Sequence, residues 1–132
     1  MFDVKKTINM ANKLKVLYVE DNKEARESTT GLFSNIFSDI TIAVNGQDGL
    51  EKFIENNENY HLIISDINMP IMNGVEMMSK IKARNKDIKV IFLSACSEVE
   101  CLIQPSIDID AHLYKPINLN AFLKTLDDFY LQ

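Results

Sequence analysis

Four short stretches of this chain are apolar without alternation: KVLYVE at 15–20, HLIISDI at 61–67, KVIFLSA at 89–95 and AHLYKP at 111–116. A strand with one wet face alternates polar and apolar side chains, so an unbroken run marks a strand covered on both faces, as in a parallel sheet. A weaker stretch, DITIAVN at 39–45, makes a fifth. Between the runs the period becomes helical. Ala25, Leu32, Phe33 and Ile36 share one face, as do Leu50, Phe53 and Ile54, then Val75, Met78 and Ile81. The last segment carries the longest stripe: Leu119, Phe122, Leu123, Leu126, Phe129 and Tyr130.

Strand and helix therefore alternate five times. Parallel neighbours need crossover helices, and right-handed crossovers place those helices on both faces of the sheet. The expected architecture is α/β, a doubly wound five-stranded parallel sheet of (βα)5 type with the flavodoxin-like order 2-1-3-4-5. Its 132 residues suffice for one core. Residues 14–132 are assigned to that domain. Residues 1–13, with Phe2, Val4, Ile8 and Met10, form a leader, either an extra turn of helix packed on the domain or a disordered tail.

Charge excludes some partners. A net charge of −5 argues against direct contact with a nucleic-acid backbone and favours a cation or a basic surface. No apolar run approaches the ~20 residues of a membrane-spanning helix, and the first residues, MFDVKKTINMANK, lack a secretory apolar region. Cys96 and Cys101 read as free cytosolic thiols, and the chain is expected in the cytoplasm.

In open α/β sheets, ligands bind beyond the carboxyl ends of the strands. Those ends carry Glu20 and Asp21, Asp66, Ser94, and Lys115 followed by Pro116. Each has a bland reading. Asp21 with Asn22 could cap a helix, Asp66 could be a turn former, Asn73 with Gly74 could start a helix, Ser94 could be another cap, and Lys115 a solvated charge. Together they are harder to dismiss. Two like charges about 4 Å apart repel by ~1 kcal/mol in water and ~4 kcal/mol near a protein surface. Three carboxylates on one rim should therefore destabilise the empty fold unless a cation joins them. Mg2+ suits hard oxygen donors and keeps several waters, with Mn2+ an admissible substitute; Ca2+ usually asks for more protein oxygens, and Zn2+ for His or Cys. Once the cluster is neutralised, one carboxylate can attack a phosphoryl donor, the metal, the lysine and the hydroxyl supplying alignment and charge stabilisation.

The motifs YVED, ISDINMPIMNG, LSA and LYKP, supported by NGQDGLEKF, occur in order from about Lys15 to the C-terminus. In this the chain resembles the receiver domain of bacterial two-component response regulators. The resemblance implies a phosphoacceptor at Asp66, fed by the phosphohistidine of a sensor histidine kinase or phosphotransfer protein. It implies Mg2+ held by Glu20, Asp21, Asp66 and the backbone carbonyl of Asn68, and a switch hydroxyl on Ser94. Lys115 would pair with the phosphoryl group, and the bond before Pro116 would be cis. Asn68 and Cys96 match positions flanking the path of attacking water. The domain would act on itself alone, without turning over other substrates, and would signal to an output domain or downstream protein through the 97–130 face.

Two departures from the family pattern bear on that signal. His112 stands where a tyrosine or phenylalanine is usual, so an imidazole would have to fill the space behind the moving hydroxyl, making the switch weak or sensitive to pH. The favoured alternative keeps His112 outward in every state. Upstream, Pro105 should shorten the fourth helix to end near Gln104, at a cost of ~3 kcal/mol for proline in a helix interior; Asp108 and Ile109 replace the customary Gly-Ala. Three rivals carry distinct signatures. A flavodoxin-like carrier needs a phosphate cradle where this chain has EDNKEARE. An aspartyl-nucleophile phosphatase needs a second aspartate where Asn68 stands, and a degenerate receiver serving only as an interaction module would not keep the acidic set.

Overall fold

The computed structural model describes residues 2–94 and 110–132. The leader forms helix α1 (Val4–Ala11), followed by β1 (Lys15–Val19), α2 (Lys23–Phe33), β2 (Asp39–Ala43), α3 (Gly46–Glu55), β3 (Leu62–Asp66), α4 (Gly74–Arg84), β4 (Lys89–Ser94), β5 (Ala111–Tyr114) and α5 (Leu119–Tyr130). All neighbouring strands are parallel, in the order β2-β1-β3-β4-β5, the order the run-and-stripe pattern predicts. The helix expected around residues 97–104, with Pro105, Asp108, Ile109 and both cysteines, lies outside the described residues.

The unbroken apolar runs split residue by residue between two cores. Leu17 and Val19 of β1, Ile63 of β3, and Val90 and Phe92 of β4 pack with Phe53, Met77, Met78 and Ile81 under α3 and α4. Val16 and Tyr18, Leu62 and Ile64, and Ile91 and Leu93 pack on the opposite face with Phe33, Phe122, Leu123 and Leu126 under α2 and α5. There Phe33 stacks on Phe122 at 5.1 Å and meets Tyr18 edge-on at 5.2 Å. Helix α1 joins this side through Ala11, with Phe2, Ile8 and Met10 half-buried against it. Burying residues of both parities explains why these strands do not alternate.

Several expected core positions fall elsewhere. Ile54 is 43% exposed, because the buried line of α3 runs through Gly46, Gly49 and Phe53 and leaves Ile54 on its flank. Leu119, in the first turn of α5, is 42% exposed, and the stripe starts to be buried at Phe122. Ile36 is buried, but beyond the end of α2. Strand β5 lies at the sheet edge and is half-buried to exposed rather than covered on both faces.

Two glycines let helix starts come close to the end of β3 and the loop that follows it. The Gly46 amide donates to the Met72 carbonyl at 3.0 Å. The Gly74 amide donates to the Ile67 carbonyl at 2.7 Å, and a Cβ on Gly74 would collide with the Asp66 carbonyl oxygen. Helix α4 therefore starts directly against the end of β3, closed by a capping box between Asn73 and Glu76. Because the colliding atom is backbone, Gly74→Ala should lower stability by ~1–3 kcal/mol. Urea melts check this, and an unchanged midpoint would show that the loop after β3 yields freely.

Candidate functional site

The acidic rim is assembled at the carboxyl ends of two neighbouring strands, β1 and β3. Glu20 follows β1 and is 1% exposed; Asp66 closes β3 and is 7% exposed. Asp21 is exposed beside them. One carboxylate oxygen from each of Glu20, Asp21 and Asp66 lies within 4.8 Å of the others. Opposite stands Lys115, just after β5, whose Nζ reaches Glu20 Oε1 at 2.8 Å and Asp66 Oδ2 at 3.3 Å. The Lys115–Pro116 bond is cis.

Backbone groups fix the orientation of these side chains. Asp66 Oδ1 accepts from the Ile67 amide at 2.9 Å, and Glu20 Oε2 accepts from the Asn22 amide at 3.1 Å. Asn22, not Asp21, caps α2, accepting from the Ala25 amide at 2.9 Å. Asp21 is thereby left over by the cap. Arg26, which the sequence reading passed over, donates from Nη1 to the carbonyls of Glu20 at 3.0 Å and Asp21 at 3.3 Å. No side-chain motif marks it, because both partners are backbone carbonyls.

The electrostatics separate two neighbouring carboxyl groups. Burial pushes Asp66 up, reinforced by the negative charge of Glu20, and Lys115 offsets this only in part, so it titrates at about 7. Glu20 is also pushed up by burial, but the Lys115 hydrogen bond and the Asn22 amide outweigh that and hold it below the usual range. Burial and the nearby Glu20 raise Asp21. Lys115 is lowered by burial and raised more by its two carboxylate partners, so it stays charged. The rim thus holds one firmly ionised carboxylate, one poised near neutrality and a captive ammonium.

Ser94, at the end of β4, is fully buried. Its Oγ lies 2.6 Å from Nε2 of the half-buried His112, so the ring is turned towards the hydroxyl in this structure. The register explains it: Phe92 pairs with His112 and Ser94 with Tyr114, which puts Ser94 and His112 on the same face of adjacent strands. Asn68 is exposed on the loop after β3, and Cys96 lies outside the described residues.

The receiver-domain model of response regulators matches residues 16–127. The chain belongs to the response regulator receiver domain family. It is 28% identical over 124 residues to a probable chemotaxis protein CheY of Rhizobium etli, covering 91% of this chain and 95% of that one. It is 27% identical to the regulatory protein VanRB of Enterococcus faecalis, covering 86% of this chain but 51% of VanRB; the chain thus spans about half the length of that relative. Among solved structures, the N-terminal domain of an uncharacterized Wolinella succinogenes protein superposes with a TM-score of 0.76 at 37% identity, covering 88% of this chain and 93% of that chain. The CheX–CheY–BeF3–Mg complex of Borrelia burgdorferi gives a TM-score of 0.72 at 25% identity, covering 94% of both chains. Receivers of this family are two-component signalling domains with the doubly wound fold described above.

The raised carboxyl carries a stability signature in metal-free protein. Asp66 holds its proton up to about 7 when folded and near 3.8 when unfolded. Its contribution is therefore present below about pH 4 and lost as pH rises towards about 7. Glu20, held below 4.5, contributes the other way: its stabilisation is present above that pH and is lost as pH falls below it. With chelator present, Asp66→Asn should melt higher than the parent protein by roughly 4 °C or more near pH 8. That gap should narrow towards pH 5. A variant that melts lower across this range would mean that the crowded carboxylates are not in conflict.

Proposed function

We propose that this receiver takes a phosphoryl group on Asp66 from a phosphohistidine of a sensor histidine kinase or phosphotransfer protein, and that the modification alters an output surface that includes β5 and α5. The observation that carries this reading is the captive Lys115, held by Glu20 at 2.8 Å and Asp66 at 3.3 Å, beside a set of three hard oxygen donors. That donor set fits Mg2+, or Mn2+ in its place: carboxylate oxygens without sulfur or imidazole, with Glu20, Asp21, Asp66 and the Asn68 carbonyl as the proposed ligands. Bound there, the ion would supply neutralisation of the carboxylates and of the incoming phosphoryl oxygens.

The chain's own groups account for the rest. Asp66 is the nucleophile: its carboxylate oxygen bonds to phosphorus as the phosphorus–nitrogen bond of the phosphohistidine breaks, leaving an acyl phosphate and a free imidazole. The Ile67 amide on Oδ1 orients the carboxylate for that attack. Lys115, already 3.3 Å from Oδ2, follows the charge as it moves onto the phosphoryl oxygens. Ser94 contributes its hydroxyl proton to one of those oxygens. Asn68, and Cys96 beyond the described segment, flank the approach of the water that later hydrolyses the acyl phosphate. The domain modifies and hydrolyses only itself, so it signals rather than turning over substrate. Among the described residues no helix is long and apolar enough to cross a membrane, and the proposed setting is the cytoplasm. The Borrelia CheY structure, bound to BeF3 and Mg, supports the same ligand chemistry here.

Incubation with acetyl phosphate and Mg2+ tests the reading. Intact mass should rise by one phosphoryl group, the gain should vanish with chelator or in Asp66→Asn, and Lys115→Met should slow it by about tenfold or more. An unshifted mass, or equal labelling of Asp66→Asn, would contradict it.

A further inference from the structure

A serine hydroxyl has one proton and two lone pairs, whereas phosphoryl oxygens at neutral pH only accept. Whatever Ser94 gives a phosphoryl group on Asp66 must therefore be that single proton. In this structure the Ser94 Oγ is 2.6 Å from His112 Nε2, a short contact between two groups on adjacent strands. The ring is braced edge-on by Tyr114, with centroids 4.7 Å apart and planes at 84°. Burial lowers the His112 pKa, which favours the neutral ring, with one donor and one acceptor nitrogen.

We propose that His112 is a positioning residue: its Nε2 accepts the Ser94 hydroxyl proton and so withholds it from the phosphoryl site on Asp66 until the ring lets go. The proposal rests on the phosphoacceptor reading of Asp66. One proton cannot serve both acceptors, so the transfer of Ser94 to the phosphoryl group costs the bond to His112 and leaves Nε2 to find a new partner. A phenyl ring at the same position has no nitrogen to compete for the proton. The histidine therefore does more than fill space beside the hydroxyl: it sets a threshold for engaging it, through a hydrogen bond whose direction can be read.

Two-bond proton–nitrogen NMR on the labelled full chain reads that direction. In the free protein His112 Nε2 should appear as the unprotonated acceptor, and Ser94→Ala should move its shift. Addition of Mg2+ and beryllofluoride, a stable mimic of the phosphoryl group, should move the Nε2 shift in the same direction as Ser94→Ala does. His112→Phe should bind beryllofluoride about two- to tenfold more tightly than the parent, the span of one hydrogen bond, and the gain should disappear when Ser94 is also alanine. A protonated Nε2 in the free protein, an Nε2 shift indifferent to Ser94→Ala, or an equal gain with and without Ser94 would overturn the proposal. Parent protein that takes up neither beryllofluoride nor a phosphoryl group overturns the phosphoacceptor reading and this proposal with it. Normal uptake with additive variants overturns this proposal alone.

Discussion

Lys115 reaches across the rim from the end of β5 to two buried carboxylates, Glu20 after β1 and Asp66 on β3, and the chemistry of the site depends on that contact. A single ammonium cannot neutralise three carboxyl groups. Glu20, at 2.8 Å, takes the larger share and stays ionised, while Asp66 is left with burial and a negative neighbour and is pushed to about 7. Buried charge without a full partner is costly. Added positive charge at the rim should therefore stabilise the fold.

The fold makes this crowding possible by rigid means. The parallel register aligns the carboxyl ends of β1, β3 and β4, so residues far apart in sequence reach one edge without long loops. The tight approach of Gly74 to the Asp66 carbonyl and the Ile67 amide on Asp66 Oδ1 leave the carboxylate little freedom. Arg26 does the same for the backbone of the acidic pair. Two apolar cores, one under each face, hold the strands while their ends carry groups that would rather be in water.

How much of this was legible in the sequence follows from which forces act locally. The strands and their order were readable because two-sided burial removes alternation, and β1, β3 and β4 are buried along nearly their whole length. The convergence of Glu20, Asp21, Asp66 and Lys115 was readable because they stand at strand ends, where topology alone brings them together. Side-chain direction was less so. His112 meets Ser94 because its register against Phe92 puts both on one face of adjacent strands, a non-local fact that spacing does not encode. Ile54 and Leu119 missed the core because a helical stripe fixes a face but not its edges. Arg26 was overlooked because its partners are backbone carbonyls, which no side-chain motif advertises.

If Glu20, Asp21 and Asp66 are held together at a cost, a divalent cation should remove it. Calorimetric titration of Mg2+ into the protein and into Asp66→Asn tests it most directly. A saturable site is expected in the parent protein, with binding weaker by roughly tenfold or more, about 1.4 kcal/mol, in the variant. Equal affinity in the two proteins, or no saturable binding in either, would contradict it.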